Sequence, residues 1–286
     1  MKVTPLAADS LGVRSMATAV ETDDCKLLLD PSLTIVSERY GLAPHPIEIW
    51  THQKLKERIH LYAKEINIVF ISHYHPSHFS REWMDLYSDK TLLIKNPNQA
   101  ISLSERNLAF TFIQSVQKNS TVDFIDDRVF NFGKTQLIFS KPVRHSTYPQ
   151  GYTIHCAIKT PRSTFLFLPD MYDWADPQTS DFIIKQDPNF IYINGPLTYK
   201  QGDKNSKKYL EQFIQNLELI IESTQIQHII LDHHLLRDLN WIEKIESLLR
   251  FVEKRGIHLQ TAAAYRGEEN SMLEAKRAEY YEKDPP

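Results

Sequence analysis

Short apolar runs separated by polar turns make up much of the chain, and a few stretches instead repeat their apolar residues at helical spacing. INIVFIS (66–72) is largely apolar, rich in β-branched residues and ends in a polar cluster, which predicts a buried strand. ATAVET and KLLLDPS flank the polar pair Asp23-Asp24 and predict a hairpin. Further strands are predicted at TLLIK (91–95), along TVDFI, VFNF, QLIFS, GYTIHCAIK and STFLFL between 121 and 168, at FIYIN (190–194) and at IQHIILD (226–232). Turn signals at 131–134 and 160–163 separate the middle runs. Gly133-Lys134-Thr135 lacks the glycine-rich lead of a phosphate-binding loop and reads as a hairpin turn.

Helical spacing appears at 47–65, where Ile49, Leu55, Ile59 and Tyr62 would share a face, and at 209–223, through Leu210, Phe213, Ile214, Leu217 and Ile221. Residues 79–88 also read as helix, and 240–255 as a helix with Asn240 as N-cap and Gly256 just past its end. The charged tail from about 267 is expected to form a protruding helix before Pro285. Residues 39–46, broken by Gly and Pro, are a loop, and 101–118 is ambiguous between helix and strand. No repeat or Gly/Ser-rich linker divides the chain, so a single α/β domain over 1–286 is expected, its sheets covered by helices on their outer faces.

Composition narrows the function. With 42% hydrophobic residues the chain can build a sizeable core, and 33 basic against 36 acidic residues leave a net charge of −3. That balance gives no electrostatic case for nucleic acid or an anionic membrane, and the basic stretch KQGDKNSKK (200–208) reads as a solvated loop. Cys25 and Cys156 are isolated, which excludes a disulfide framework and a CxxC zinc site and fits a reducing compartment. Neither a secretory leader nor a run long enough to span a bilayer is present, so a cytoplasmic protein acting on a small molecule is expected.

The chemistry concentrates in His73-Tyr74-His75-Pro76-Ser77-His78, directly after INIVFIS. A strand end fixes the backbone, two histidines two residues apart can converge on one ion, and a third follows where the chain turns. Neutral imidazoles suit Zn²⁺ and similar ions. His145, Asp170, His233 and His234 follow later strands and add N/O ligand positions. In IQHIILDHH both faces are apolar, so strand phase does not choose among the histidines; position at the strand end favours His233 or His234 over His228. His155 shares a face with Thr153, Ala157 and Lys159 and reads as solvent-facing, while His45, His52, His60 and His258 have no partner pattern. Tyr148, Tyr172 and Trp174 flank His145 and Asp170 and could line a pocket or pack under a loop. Arg237-Asp238 fits a pair near the site as well as a helix start.

These features resemble the metallo-β-lactamase superfamily, whose hallmark is HxHxDH after a strand, then a lone His, a bridging Asp and a final His, each at a strand end. HYHPSH is similar to the first motif, His145 matches the lone His, Asp170 in FLPDMYD the bridging Asp and His233 the final His. SLGVRSMATAVET, LLLDPS, RYGLAPHPIE, NGPLTY, LDHHLLRD and GEENSMLEAKRAE further resemble an uncharacterised, mainly archaeal branch of metallo-hydrolase-like proteins. The resemblance implies an αββα sandwich of two mixed sheets. It also implies one or two ions, Zn²⁺ by default with Fe or Mn as alternatives, on His73, His75, His78, His145, Asp170 and His233 or His234. The activity implied is hydrolysis of an ester, lactone or phosphodiester by a metal-activated water, with Asp170 as the catalytic carboxylate. Ser77 departs from the motif, standing where the superfamily has an aspartate ligand to the second ion. It therefore also motivates the rival expectation of a non-catalytic member that binds a metal or a ligand.

Overall fold

The apolar runs form strands that divide between two mixed sheets and a short two-stranded ladder. The computed structural model describes residues 1–145, 151–171, 176–199 and 206–285. The first sheet takes β1 (Lys2–Pro5), β2 (Thr18–Glu21), β3 (Lys26–Leu29), β4 (Ile68–Ile71), β5 (Thr91–Ile94) and β6 (Thr121–Phe124), in chain order. It begins antiparallel and becomes parallel from β3 to β6. The hairpin at Asp23-Asp24 joins β2 to β3 as expected.

The later strands are β7 (Val129–Phe132), β8 (Thr135–Phe139), β9 (Val143–Arg144), β10 (Tyr152–Thr153), β11 (Cys156–Lys159), β12 (Thr164–Leu168), β13 (Phe190–Ile193), β14 (His228–Leu231) and β15 (His258–Gln260). β9 and β10 pair with each other, and the rest form a sheet in the order β15-β14-β13-β12-β11-β8-β7. The helices are α1 (Pro46–Ala63), α2 (Leu103–Val116), α3 (Pro177–Gln186), α4 (Ser206–Glu222), α5 (Trp241–Lys244), α6 (Glu246–Lys254), α7 (Ala262–Tyr265) and α8 (Arg277–Lys283).

Alternation along the strands shows why the layers stack. Phe165, Phe167, Tyr192 and Ile230 pack into one core with the first sheet, α1 and α2, while their neighbours Leu166, Leu168, Ile191, Ile229 and Leu231 pack into a second core against α3, α4 and α6. Both faces of the second sheet are thus covered, as its near-continuous apolar strands require. The architecture is the expected αββα sandwich.

Several local expectations are corrected. Residues 79–88 hold only a 3₁₀ turn at Met84–Leu86. Phe79, Trp83, Leu86 and Tyr87 are buried at helical spacing, but the Tyr87 hydroxyl and Ser80 Oγ accept the Ser80 and Glu82 N–H groups, which competes with a helix. In α1 the buried face runs through Glu48, Thr51, Leu55 and Ile59, leaving Ile49 exposed, because Glu48 pairs with Arg277. The predicted helix at 240–255 breaks at Ile245, and Asn240 makes no side-chain cap. Instead Asp238 Oδ1 accepts the Asn240 N–H at 3.0 Å. The tail does not protrude: Arg277 at the start of α8 is fully buried, 2.7 and 2.8 Å from the two Glu48 carboxylate oxygens. His155 is not solvent-facing but fully buried, because its phase, shared with Ala157, points to the helix-covered face of the second sheet.

Candidate metal centre

The candidate residues sit at the carboxyl ends of parallel strands drawn from both sheets, where ligands of open α/β sheets collect. Asp30 follows β3, Ser72 and His73 follow β4, Asp170 follows β12, Asn194 follows β13, and Asp232 and His233 follow β14. His145 follows β9. Two backbone links hold these ends together: Asp30 N–H donates to Phe70 O at 2.9 Å, and Ile154 N–H, in the link between β10 and β11, donates to Ser72 O at 3.1 Å. Asp30, Asp170 and His233 all take left-handed backbone, with φ of +44°, +47° and +59°. Strain of this kind in non-glycine residues, each costing on the order of 1–3 kcal/mol, persists where the surroundings impose it, typically at functional sites.

Ligand-capable atoms of His73, His145 and Asp170 lie within 4.8 Å of one another, and so do those of His78, Asp170 and His233. Asp170 therefore bridges two groups. Its Oδ2 is 3.4 Å from His73 Nε2 and 3.3 Å from His78 Nε2, and its Oδ1 is 3.2 Å from His233 Nε2 and 3.5 Å from His234 Nε2. His73 Nε2, His78 Nε2 and Asp170 Oδ1 are buried and make no hydrogen bond. Leaving such atoms unsatisfied is costly, and groups of this chemistry converging on one point fit a shared divalent cation.

The opposite ring nitrogens are anchored in the manner of metal ligands, whose tautomer is set by the group on the far side of the ring. His78 Nδ1 meets Asp30 Oδ2 at 2.8 Å, and His233 Nδ1 meets Asp9 Oδ2 at 2.7 Å. His73 Nδ1 meets Ser72 Oγ at 2.9 Å, and that hydroxyl donates to Asp30 Oδ2 at 2.6 Å. In each case the partner accepts, so Nδ1 carries a proton, and in the neutral form of each ring Nε2 has the lone pair that faces Asp170.

Charge is dense here. Burial pushes His73 down to about 4, helped by His78 and His145. Burial also disfavours a charged His78, but Asp170 and Asp30 outweigh it and raise the ring to about 10. Burial works against ionised Asp170 as well, yet His78, His234 and His233 hold its carboxyl well below the usual range. Without an ion, a protonated His78 lies between two carboxylates, and a bound ion would take over that positive charge.

His75 joins neither group. Its ring is exposed, 6.1 Å from that of His73 and 6.3 Å from that of His78, and its Nδ1 faces Ser77 Oγ at 2.7 Å. Where the motif has a carboxylate, this chain thus has a hydroxyl bonded to the neighbouring histidine. Arg237 is buried with Nε 2.7 Å from Asp9 Oδ1, which settles its pairing near the site, whereas Asp238 bonds Thr198 and Lys244 away from it. Tyr148, Tyr172 and Trp174 lie outside the described residues, as does most of the basic stretch 200–208.

The sequence reading missed Asp9, Asp30, Glu105 and Asn194. Asp30 was visible as an aspartate closing the apolar run LLL, the same strand-end pattern that marks Asp170. Glu105, in the first turn of α2, lies 3.3 Å from His145 Nε2. Burial resists its ionisation, but His145 and His73 bring it down to about 2. Asp9 and Asn194 carry no local signal, because their partners are 224 and 40 residues distant.

An αββα sandwich with histidines gathered around one shared aspartate at the strand ends defines a metallo-β-lactamase-fold protein with a candidate metal centre. Solved structures agree on the fold. An isothiocyanate hydrolase from Delia radicum gut bacteria superposes with a TM-score of 0.55 at 13% identity, over 91% of this chain and 95% of that one. The diiron β-hydroxylase CmlA from Streptomyces venezuelae gives 0.53 at 11% identity, over 86% and 51%. No family model matches the chain. In sequence it is 38% identical to a UPF0282 protein of Sulfurisphaera tokodaii over 290 residues, 99% of this chain and 94% of that one. It is also 38% identical to a UPF0282 protein of Methanocaldococcus jannaschii over 292 residues, 98% and 96%. The chain belongs to the UPF0282 family. Among the described residues no helix is long and apolar enough to cross a membrane.

Proposed function

We propose that this protein is a metal-dependent hydrolase, acting on an ester, lactone or phosphodiester of a small molecule in the cytoplasm. The observation that carries the reading is the convergence of His73 Nε2, His78 Nε2 and Asp170 Oδ1, buried and without hydrogen-bond partners. His73, His145 and Asp170 would hold one ion, and His78, Asp170 and His233 a second, with Zn²⁺ the default for this donor set. A bound ion of this kind supplies Lewis acidity and a water whose pKa falls from about 15.7 towards ~7.

The chain's own residues do the rest. Asp170, held ionised, would orient the attacking water or take its proton, the role left to it by the replacement of the motif aspartate with Ser77. His78 and His233 are locked by Asp30 and Asp9 with their Nε2 atoms on the cluster, so no reorganisation is needed when substrate arrives. The experiment is a panel of esters, lactones and phosphodiesters offered to protein loaded with zinc, manganese or iron, beside Asp170→Ala. Turnover that depends on the metal and is lost in Asp170→Ala supports the reading. Turnover unchanged in Asp170→Ala contradicts it. A panel silent under every metal would favour the second reading, a non-catalytic metal-binding member, which the Ser77–His75 hydrogen bond motivates.

A further inference from the structure

Two adjacent histidines reach the same carboxylate oxygen: His233 Nε2 and His234 Nε2 lie 3.2 and 3.5 Å from Asp170 Oδ1, their rings stacked at 4.5 Å and 28°. The left-handed φ of +59° at His233 brings both side chains to one place, where an extended backbone would send them to opposite faces. We infer that they do different jobs: His233 holds an ion, and His234 presents an Nε2–H to a carbonyl or phosphoryl oxygen of the substrate. This rests on the metal-dependent reading above.

The far side of each ring separates the roles. His233 Nδ1 faces the Asp9 carboxylate, which can only accept, so the proton is on Nδ1 and Nε2, 3.2 Å from Arg237 Nη2, keeps the lone pair a ligand needs. His234 Nδ1 faces Asn194 Nδ2 at 3.2 Å, which can only donate. The orientation of that amide is fixed by three backbone contacts. Asn194 Oδ1 accepts the Met171 N–H at 2.9 Å, and the two hydrogens of Nδ2 are shared among Met171 O and Gly195 O, both at 3.1 Å, and His234 Nδ1. A flipped amide would set its oxygen against two carbonyls and its NH₂ against an N–H. His234 Nδ1 therefore faces a group that cannot accept from it, and the proton of the neutral ring is on Nε2.

A protonated nitrogen cannot ligate an ion but can donate. At 3.5 Å its contact with Asp170 Oδ1 is longer than a good hydrogen bond, which leaves the proton free for an incoming oxygen. His234 is also the accessible member of the pair, 15% exposed against 1% for His233. A preset N–H beside the cluster is suited to an oxygen that gains negative charge during acyl or phosphoryl transfer.

The test measures metal content of the wild-type protein, His233→Ala, His234→Ala and His234→Gln, then binding of inorganic phosphate to the metal-loaded proteins by calorimetry. The two His234 variants are expected to keep the wild-type metal content and His233→Ala to lose metal. Glutamine keeps a terminal N–H donor, so His234→Gln should bind phosphate within about threefold of wild type, and His234→Ala about tenfold or more weakly. Metal loss in His234→Ala equal to that in His233→Ala would make His234 a ligand and overturn the assignment. Phosphate binding unaffected by His234→Ala, or absent from the wild type, would overturn the donor role. Long-range ¹H–¹⁵N spectra of the metal-free protein read the tautomer directly, and a His234 protonated on Nδ1 would refute the assignment whatever the metal does. A wild-type chain that takes up no metal while His234 is protonated on Nε2 would instead bring down the hydrolase reading and the substrate role with it.

Discussion

The two sheets contribute to the candidate metal centre in the same way and differ in how they balance charge. From the first sheet, His73 and His78 are held through a single buried carboxylate, Asp30, which also accepts the Ser72 N–H at 2.8 Å. From the second, His233 is held by Asp9, which has its own cation in Arg237, 2.7 Å from its other oxygen. Asp30 is thus shared among groups of one strand end and, among the described residues, has no buried guanidinium of its own, whereas Asp9 is half of an ion pair that also clasps the N-terminal segment to the turn at 233–237. The same clasp runs in reverse through Asp232, whose carboxylate accepts the Ser10 and Ala262 N–H groups at 3.0 and 2.8 Å. One half of the centre depends on a hub, the other on a pair.

The largest expected effect follows from the hub. Asp30→Ala removes the partner of the charged His78 and the acceptor for Ser72 together, and should destabilise the metal-free protein by about 3–5 kcal/mol in urea unfolding. The pair should behave differently. Asp9→Asn or Arg237→Met alone leaves a buried charge uncompensated and should cost about 3 kcal/mol, while the double variant, which removes both charges, should cost about half as much. A double variant as damaging as the sum of the singles would erase the distinction between hub and pair.

His155 sharpens the comparison from outside the site. It is a buried histidine with neither ring nitrogen hydrogen-bonded, in contrast to the anchored histidines of the centre. Burial pushes it from 6.5 down to about 3. The unfolded chain therefore takes up a proton below about pH 6.5 that the folded chain refuses, so stability falls as pH drops from there towards 3, by up to ~1.4 kcal/mol per pH unit. His155→Leu removes this contribution, and its melting temperature should fall less than that of the wild type between pH 7 and pH 5. An unchanged acid slope would mean that His155 is not held neutral.

The smallest effect concerns the support beneath His234. Gly195 has φ of +51°, and a Cβ there would stand 2.8 Å from Leu235 Cβ and 3.0 Å from Leu231 Cδ1. Gly195→Ala should cost about 1–3 kcal/mol by combining backbone strain with overpacking against the 233–237 turn. Loss of stability without any change in metal content would place the damage in the packing, as the structure implies.

Legibility in the sequence followed the same division. The layers could be read because strands buried on both faces are apolar throughout, as in IVFI and TFLFL, and helices such as α4 carry one apolar stripe. The convergence of His73 and His78 could be read because one strand end holds them five residues apart, and that of Asp170 and His233 because each closes a strong strand. Asp9, Glu105 and Asn194 could not, since each acts through a partner brought to it by the fold. What distinguishes His233 from His234 is the group that faces Nδ1, and those groups, Asp9 and Asn194, lie far from either histidine in sequence. His155 misled because strand alternation gives the phase of a side chain, while what covers each face is decided by the helices.

The most direct test of the central claim is elemental mass spectrometry of the protein purified without chelators, beside Asp170→Ala and His155→Leu. One or two divalent ions per chain are expected in the wild type and in His155→Leu, and a loss of metal in Asp170→Ala, whose carboxylate faces every group of the cluster. A wild-type chain that stays empty after incubation with zinc, manganese and iron, or an Asp170→Ala variant that keeps its metal, would contradict the account.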